Sequence, residues 1–304
     1  MATTHTVTPL NITGNTTPAQ NELLRKILGE AVQAAYEGAI ERLDRHSVQL
    51  VLDGDRAFRA EATESVGALI DRFTISDKYK DEQTPSQLEY PTSYRPRPVE
   101  AQVTELRKIF PGLGSAMEKV GRRPLPESAE AWIAIPRWQA VAPTYGEACR
   151  TMVEALASRR KFSNRILGNL GPTFLRQCER TQHAEKILAE QQPGHDILVF
   201  AAQAGKHHRG RSARRARVVL AGNEFALGMF AMGCLLLVHP ERLSQQESLM
   251  IDCSGDEYSI RGDCTFDRVP LFDYDLSGIE LSVFYEDRAR NMWGTPSGFL
   301  VQMT

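Results

Sequence analysis

Between Gly205 and Phe225 the chain reads GKHHRGRSARRARVVLAGNEF, and Lys206, Arg209, Arg211, Arg214, Arg215 and Arg217 place six cations within twelve residues. No Asp or Glu occurs between Asp196 and Glu224, so nothing close in sequence neutralises them. Guanidinium groups are planar forks of donors that match phosphate oxygens in pairs. Gly210 permits a tight turn, and Ser212 is placed to cap a helix starting at Ala213. Cations at the positive N-terminal end of a helix cost a few tenths to about 1 kcal/mol each, a penalty that a bound anion would remove. The candidate anion-binding set is therefore Lys206, His208, Arg209, Arg211, Ser212, Arg214, Arg215 and Arg217, with His207 and His208 adding contacts as pH falls. Neither GxxxxGK[ST] nor GxGxxG is present, so this is not a recognised nucleotide loop.

Two other chemistries compete with this reading. Asp252, Asp256, Glu257, Asp263, Asp267, Asp273 and Asp275 face only Arg261 and Arg268 within their own stretch, and would pair with the arginines in a purely structural network. Alternatively Asp252, Asp256 and Glu257, in DCSGDEY, would hold Mg2+ or Mn2+ for a phosphoesterase or nuclease reaction, with the arginines gripping substrate phosphate. Asp and Gly in turns between strands explain the same letters. No cofactor is expected outside the metal alternative. Cys234 and His239 are five apart and Cys253 and Cys264 eleven apart, so no zinc spacing occurs, and GxSxG and HExxH are missing.

Smaller features would extend a surface for nucleic-acid phosphates. Arg122, Arg123 and SRRKF at 158–162 add positive charge, and Trp132, Arg137 and Trp138 would stack bases if they did not pack in the core. With 36 basic and 38 acidic residues the formal net charge is −2, so any attraction to a polyanion must be local.

These residues need a scaffold. Residues 1–16 are rich in Thr and Asn and read as a disordered tail. Leu24, Leu28, Ala31, Ala35, Ala39 and Leu43 recur at helical spacing and predict a helix over 18–45. A second helical pattern follows to Phe73, weakened at Gly54, with a strand at 48–52 as its alternative. Residues 74–98 are a long polar connection, either a domain boundary or a wrapping loop, before a short helix at 99–109. Beyond it AWIAIPRW and DILVFAAQA read as strands, with helices at 143–160 and 172–191 and a helical region from the basic segment to 238. The remainder alternates like three or four strands.

The expected fold class is α+β, with a helical N-terminal half and a C-terminal half mixing helices with a small, mostly antiparallel sheet. The expected divisions are a tail at 1–16, a helical region at 17–110 and an α+β domain at 111–304, the last two either separate or packed as one unit. MATTHTVTPL shows no signal peptide, the fourteen-residue run from Phe225 to Val238 is too short for a bilayer, and the five cysteines form no CxxC pair, so a cytoplasmic protein with reduced thiols is expected.

GKHHRGRSARRAR and NEFALGMFAMGCLLLVHPERL resemble segments of uncharacterised bacterial proteins, mainly over residues 130–258. That resemblance implies a bacterial or phage-like cytosolic setting and carries no catalytic residue. The function expected from the sequence is binding of an anionic ligand, most plausibly nucleic-acid phosphates, at the arginine-rich strand-to-helix junction.

Overall fold

The spacing of Leu24, Leu28, Ala31, Ala35 and Ala39 winds Pro18–Ile40 into helix α1. It stops short of residue 45 because residues 41–44 leave the helix, and Asp44 caps α2 (Arg45–Asp53) by accepting the Ser47 N–H at 2.7 Å. Gly54 ends α2, and α3 (Asp55–Thr74) follows, so residues 48–52 are helical rather than extended. The computed structural model describes residues 18–74, 78–166, 169–276 and 278–302, which fall into two units, 18–74 and 78–302. The tail read into residues 1–16 lies outside the described residues. In the first unit Leu23, Ile27, Leu50, Leu52 and Phe58 are exposed.

The second unit begins at Lys78 and includes α4 (Val99–Ile109), whose buried Val103 and Leu106 join the main core. The boundary therefore falls before the wrapping connection and not after residue 110. Its strands are β1 (Ala131–Pro136), β2 (Phe162–Asn164), β3 (Leu175–Gln177), β4 (Ile197–Arg209), β5 (Glu224–Ala226), β6 (Met250–Asp252), β7 (Asp256–Tyr258), β8 (Arg268–Asp275), β9 (Gly278–Tyr285) and β10 (Trp293–Phe299). Interspersed are α5 (Trp138–Val141), α6 (Tyr145–Arg159), α7 (Glu179–Gln191), α8 (Ala213–Val219) and α9 (Met229–Val238).

The fold is α+β, but its sheet is large and mixed. Ten strands join in the order β1-β4-β10-β6-β8-β7-β3, with β2 beside β9, β5 beside β10 and β9 beside β8. The β10–β6 and β2–β9 pairs are parallel and the others antiparallel. Short strands were hidden in segments read as helix. Leu175–Gln177 pairs with β7, which delays α7 to Glu179, and β5 splits the expected helix to 238 into α8 and α9. All ten residues of α9 are buried, and it packs on α6 so closely that a Cβ at Gly233 would lie 1.9 Å from the Met152 sulfur. Among the described residues no helix is long and apolar enough to cross a membrane.

The central strand carries a large bulge. Between the pairs Gln203/Ser297 and His208/Thr295, β10 has one residue, Pro296, and β4 has four, 204–207. Proline has no N–H to offer a ladder, and Gly205 takes φ 124°, open mainly to glycine. The Gln203 amide replaces the missing bonds. Its Oε1 accepts the Gly205 and His207 N–H groups at 2.7 and 3.2 Å, and its Nε2 donates to the Thr295 carbonyl and Ser297 Oγ at 2.8 and 2.9 Å. Glu130 accepts the Ala204 N–H at 2.9 Å, the Tyr90 hydroxyl accepts that of Lys206 at 2.9 Å, and the fully buried Arg242 donates to the Ala204 carbonyl at 2.6 Å.

Gln203→Ala leaves several of these groups without partners and is expected to destabilise the second unit by about 3 kcal/mol, since each buried unpaired group costs about 1–3 kcal/mol. Urea unfolding followed by tryptophan fluorescence measures this, and an unchanged midpoint would show that the bulge does not rely on Gln203.

Candidate anion-binding groove

The bulge and the Gly210 turn divide the basic segment into two halves that face different surroundings. β4 runs on to Arg209, further than the apolar stretch ending at Ala204 suggests. Gly210 turns at φ 75°, and Ser212 caps α8, its Oγ accepting the Arg215 N–H at 3.0 Å, as its sequence position implies.

The second half is bound internally. Arg214 forks onto Glu82, with its Nε 2.9 and 2.8 Å from the two oxygens, and stacks over the Tyr79 ring. Arg215 is buried and donates to the Lys78 carbonyl at 2.9 Å. Arg217 donates to the Ser254 and Asp256 carbonyls, each at 2.8 Å, and to Glu286 at 2.6 Å, with Glu257 at 3.9 Å. Ser212 itself donates to Glu82 at 2.7 Å. Ser212, Arg214, Arg215 and Arg217 thus do not share an open surface with the rest of the candidate set.

The neutralising carboxylates come mainly from the polar connection at 78–98, and of the 252–275 acids Glu257 lies 3.9 Å from Arg217. That connection lies along the junction, with Gln83 bridged to Arg211 and the Thr84 N–H bonded to the Gly210 carbonyl at 2.7 Å. The Arg214 guanidinium and the Ser212 hydroxyl hold Glu82 below the usual carboxylate range, and Lys206 and Arg209 do the same for Glu89.

The first half lines a groove of about 680 Å³ with Gln83, Thr84, Ser86, Ser128 and Glu130, in which Lys206, His207, Arg209 and Arg211 meet. Lys206 and Arg209 share one carboxylate, Glu89. Arg211 has no carboxylate within ion-pair distance among the described residues. Its Nη1 donates to His208 Nδ1 and to the His207 carbonyl, while its Nε and Nη2 make no hydrogen bond among the described residues and are not fully buried. Burial and the neighbouring Arg215 charge both weaken its hold on its proton.

Behind Arg211 lies a buried relay. A guanidinium only donates, so His208 Nδ1 is an acceptor and its Nε2 carries the proton given to Glu224 at 2.6 Å. Burial pushes Glu224 up, but the His208, Ser297 and Ala221 hydrogen bonds outweigh it and hold the group below its ordinary value. His207, half-shielded beside His208, is pushed down by burial and then by its neighbour. Among the described residues, His207, His208 and Glu224 are the group whose metal-ligating atoms all lie within 4.8 Å. Those of His208 and Glu224 are engaged with each other, Arg211, Ser297 and the Ala221 N–H.

The acids proposed for Mg2+ or Mn2+ do not converge. Asp252 is buried in β6 with Oδ1 unpartnered. Asp256 accepts the Tyr145 hydroxyl at 2.8 Å on both oxygens and the Met229 N–H at 2.7 Å, which caps the apolar α9. Glu257 pairs with Arg176 at 2.6 Å. Burial pushes both Asp252 and Asp256 up to about 7. The added basic surface is also dispersed: Arg122 pairs with Glu100, Arg123 donates to the Gln302 carbonyl and Arg160 to that of Leu243. Trp132 is core, its Nε1 bonded to the Arg123 carbonyl at 2.8 Å, while Trp138 lines a separate cavity.

Sequence reasoning missed Glu82, Glu89, Tyr90, Glu130 and Glu224. The one signal for the first three was the unusual length of the polar connection, since the pairing of Glu82 and Glu89 across 120 or more residues leaves no local pattern. No family model matches the sequence, and no curated protein or solved structure is significantly similar to it.

The shifted acids fix a pH profile. Asp252 and Asp256 keep protons in the folded state that the unfolded chain releases near pH 4, so stability falls as pH rises from there to about 7. Glu82, Glu89 and Glu224 are shifted the opposite way, so their contribution is lost as pH drops below the usual carboxylate range. The melting temperature is therefore expected to peak near about pH 5, and Asp256→Asn to flatten the decline on the alkaline side. A profile that rises steadily from pH 5 to pH 8 would contradict the assignment.

Proposed function

We propose that the groove of Lys206, His207, Arg209 and Arg211 binds an anionic ligand, with nucleic-acid phosphates as its source. The observation that carries this reading is Arg211, whose Nε and Nη2 are donors without a partner among the described residues, in a groove with Lys206 and Arg209. The three cations face two carboxylates, Glu89 and Glu130. Glu130 already accepts the Tyr90 hydroxyl and the Ala204 N–H. A phosphate oxygen pair matches the open edge of a guanidinium in plane and spacing. Its charge would offset the positive potential that Arg215 adds behind Arg211. The buried His208–Glu224 pair fixes the Arg211 head from the rear, so little side-chain freedom remains to be lost on binding.

A second role belongs to the other half of the segment. Arg214, Arg215 and Arg217 fasten the 78–82 stretch, the 254–256 turn and Glu286 around α8, and their work is structural.

Fluorescence anisotropy with a labelled single-stranded oligonucleotide tests the groove. Three phosphate contacts predict a slope of log affinity against log salt of about −2, and Arg211→Ala is expected to weaken binding about tenfold and to reduce the slope by about 0.7. Lys206→Glu should weaken it, and by setting a second carboxylate beside Glu89 at a partly exposed position should lower the melting temperature only slightly. Arg214→Ala should lower the melting temperature and leave affinity unchanged. Absence of binding at low salt, or affinity indifferent to both Lys206→Glu and Arg211→Ala, would overturn the reading.

A further inference from the structure

A separate cavity of about 460 Å³ opens between α7 and the sheet, within the size range of small-molecule sites. Its floor is apolar, formed by Leu198, Phe200, Phe225, Leu227 and Ala231. One wall brings Gln177, Trp138 and Glu185 together. Glu185 is the centre of that wall. Gln177 donates to its Oε1 at 2.7 Å, and the Trp138 side chain also hydrogen-bonds it. Asp256 lies behind this wall beside Gly228, with the Tyr145 hydroxyl on both of its oxygens.

Both neighbours of Glu185 are donors. A carboxylic acid at this position has an O–H that neither of these donors accepts, and Glu185 lines the cavity where an acceptor could take it. Burial, with the Asp256 charge adding to it, pushes Glu185 up to about 8 against the hydrogen bonds of Gln177 and Trp138, so the proton is in place at neutral pH.

The charges around the cavity select the kind of guest. An anion would face the Asp256 charge, which already bears on Glu185. A cation would meet Arg137 and Lys186, which share the lining. The Arg137 guanidinium is itself occupied, donating to the Ala189 and Gln192 carbonyls at the end of α7. An uncharged molecule avoids both repulsions.

We propose that this cavity binds a small uncharged organic molecule with an aromatic or aliphatic body and a carbonyl-type acceptor, the body on the Phe200–Phe225–Leu227 floor and the acceptor on the Glu185 carboxyl. This site is independent of the arginine groove, and a ligand here needs no phosphate.

Benzamide, benzoate and benzylamine are suitable probes, titrated into the full chain and followed by saturation-transfer NMR and by melting temperature. Benzamide is expected to bind best at pH 7 and about tenfold more weakly at pH 9, where Glu185 has lost its proton. In Glu185→Gln, whose amide also donates, benzamide binding should persist and its pH dependence vanish. Ala231→Trp fills the floor and Gln182→Trp, at the exposed rim, narrows the entrance. Each should abolish binding while oligonucleotide affinity stays unchanged, and the rim variant keeps the test valid if the floor variant does not fold. Preference for benzoate or benzylamine, a pH-independent benzamide affinity, binding that survives Gln182→Trp, or no binding of any probe would each overturn the proposal.

Discussion

Four residues of β4 find no partner in β10, and the position of almost every polar group near the groove follows from how they are accommodated. A bulge of this size leaves backbone donors and acceptors that must be paired inside a protein. Gln203, Glu130, Tyr90 and Arg242 pair them, and those side chains come from four separate parts of the sequence. The same detour changes which way the strand faces. Up to Gly205 β4 is wholly buried, whereas Lys206 and His207 within the bulge are exposed and His208 just beyond it is buried.

The charges of the segment are governed by a polar connection that resembles a loop in composition but acts as a strap. Glu82 and Glu89 lie in it, and each serves two donors of the basic segment. Exposed ion pairs of this kind contribute between nothing and about 1 kcal/mol, so Lys206 and Arg209 are loosely held by Glu89. Arg217 is different, being 18% exposed and saturated by two carbonyls and Glu286. Removing one partner of a buried set leaves a charge without compensation, which costs more than the intact set contributes. The segment thus combines permanent fastening at one end with exchangeable partners at the other.

The sequence disclosed local features well. The Ser212 cap, the Gly54 break, the strand at 131–136 and helix 99–109 were all legible because each depends on neighbours within four residues or on a simple period. β5 and β3 were not legible. Three-residue strands have too few positions to show alternation, and both are defined by partners elsewhere, β10 and β7. The size of the sheet was underread for the same reason. In the candidate site, the cations were visible as a cluster but their counter-charges were not, because Glu82, Glu89 and Glu286 look like ordinary surface acids in sequence. Asp256 was legible as a carboxylate, open to a turn or a metal reading, but nothing in DCSGDEY reveals that it would meet the first turn of α9 and Tyr145.

The placement of β4 between β1 and β10 has a consequence for how the protein is made. Residues 210–292 separate β4 from β10, so the ribosome must deliver α8, α9 and β5 to β9 before that side of the central strand can be closed. Until then ILVFAA presents an open, apolar edge, the kind of surface that recruits identical segments from other chains. Slow production, low temperature or a chaperone that shields extended segments should therefore decide how much of the newly made chain reaches its native state.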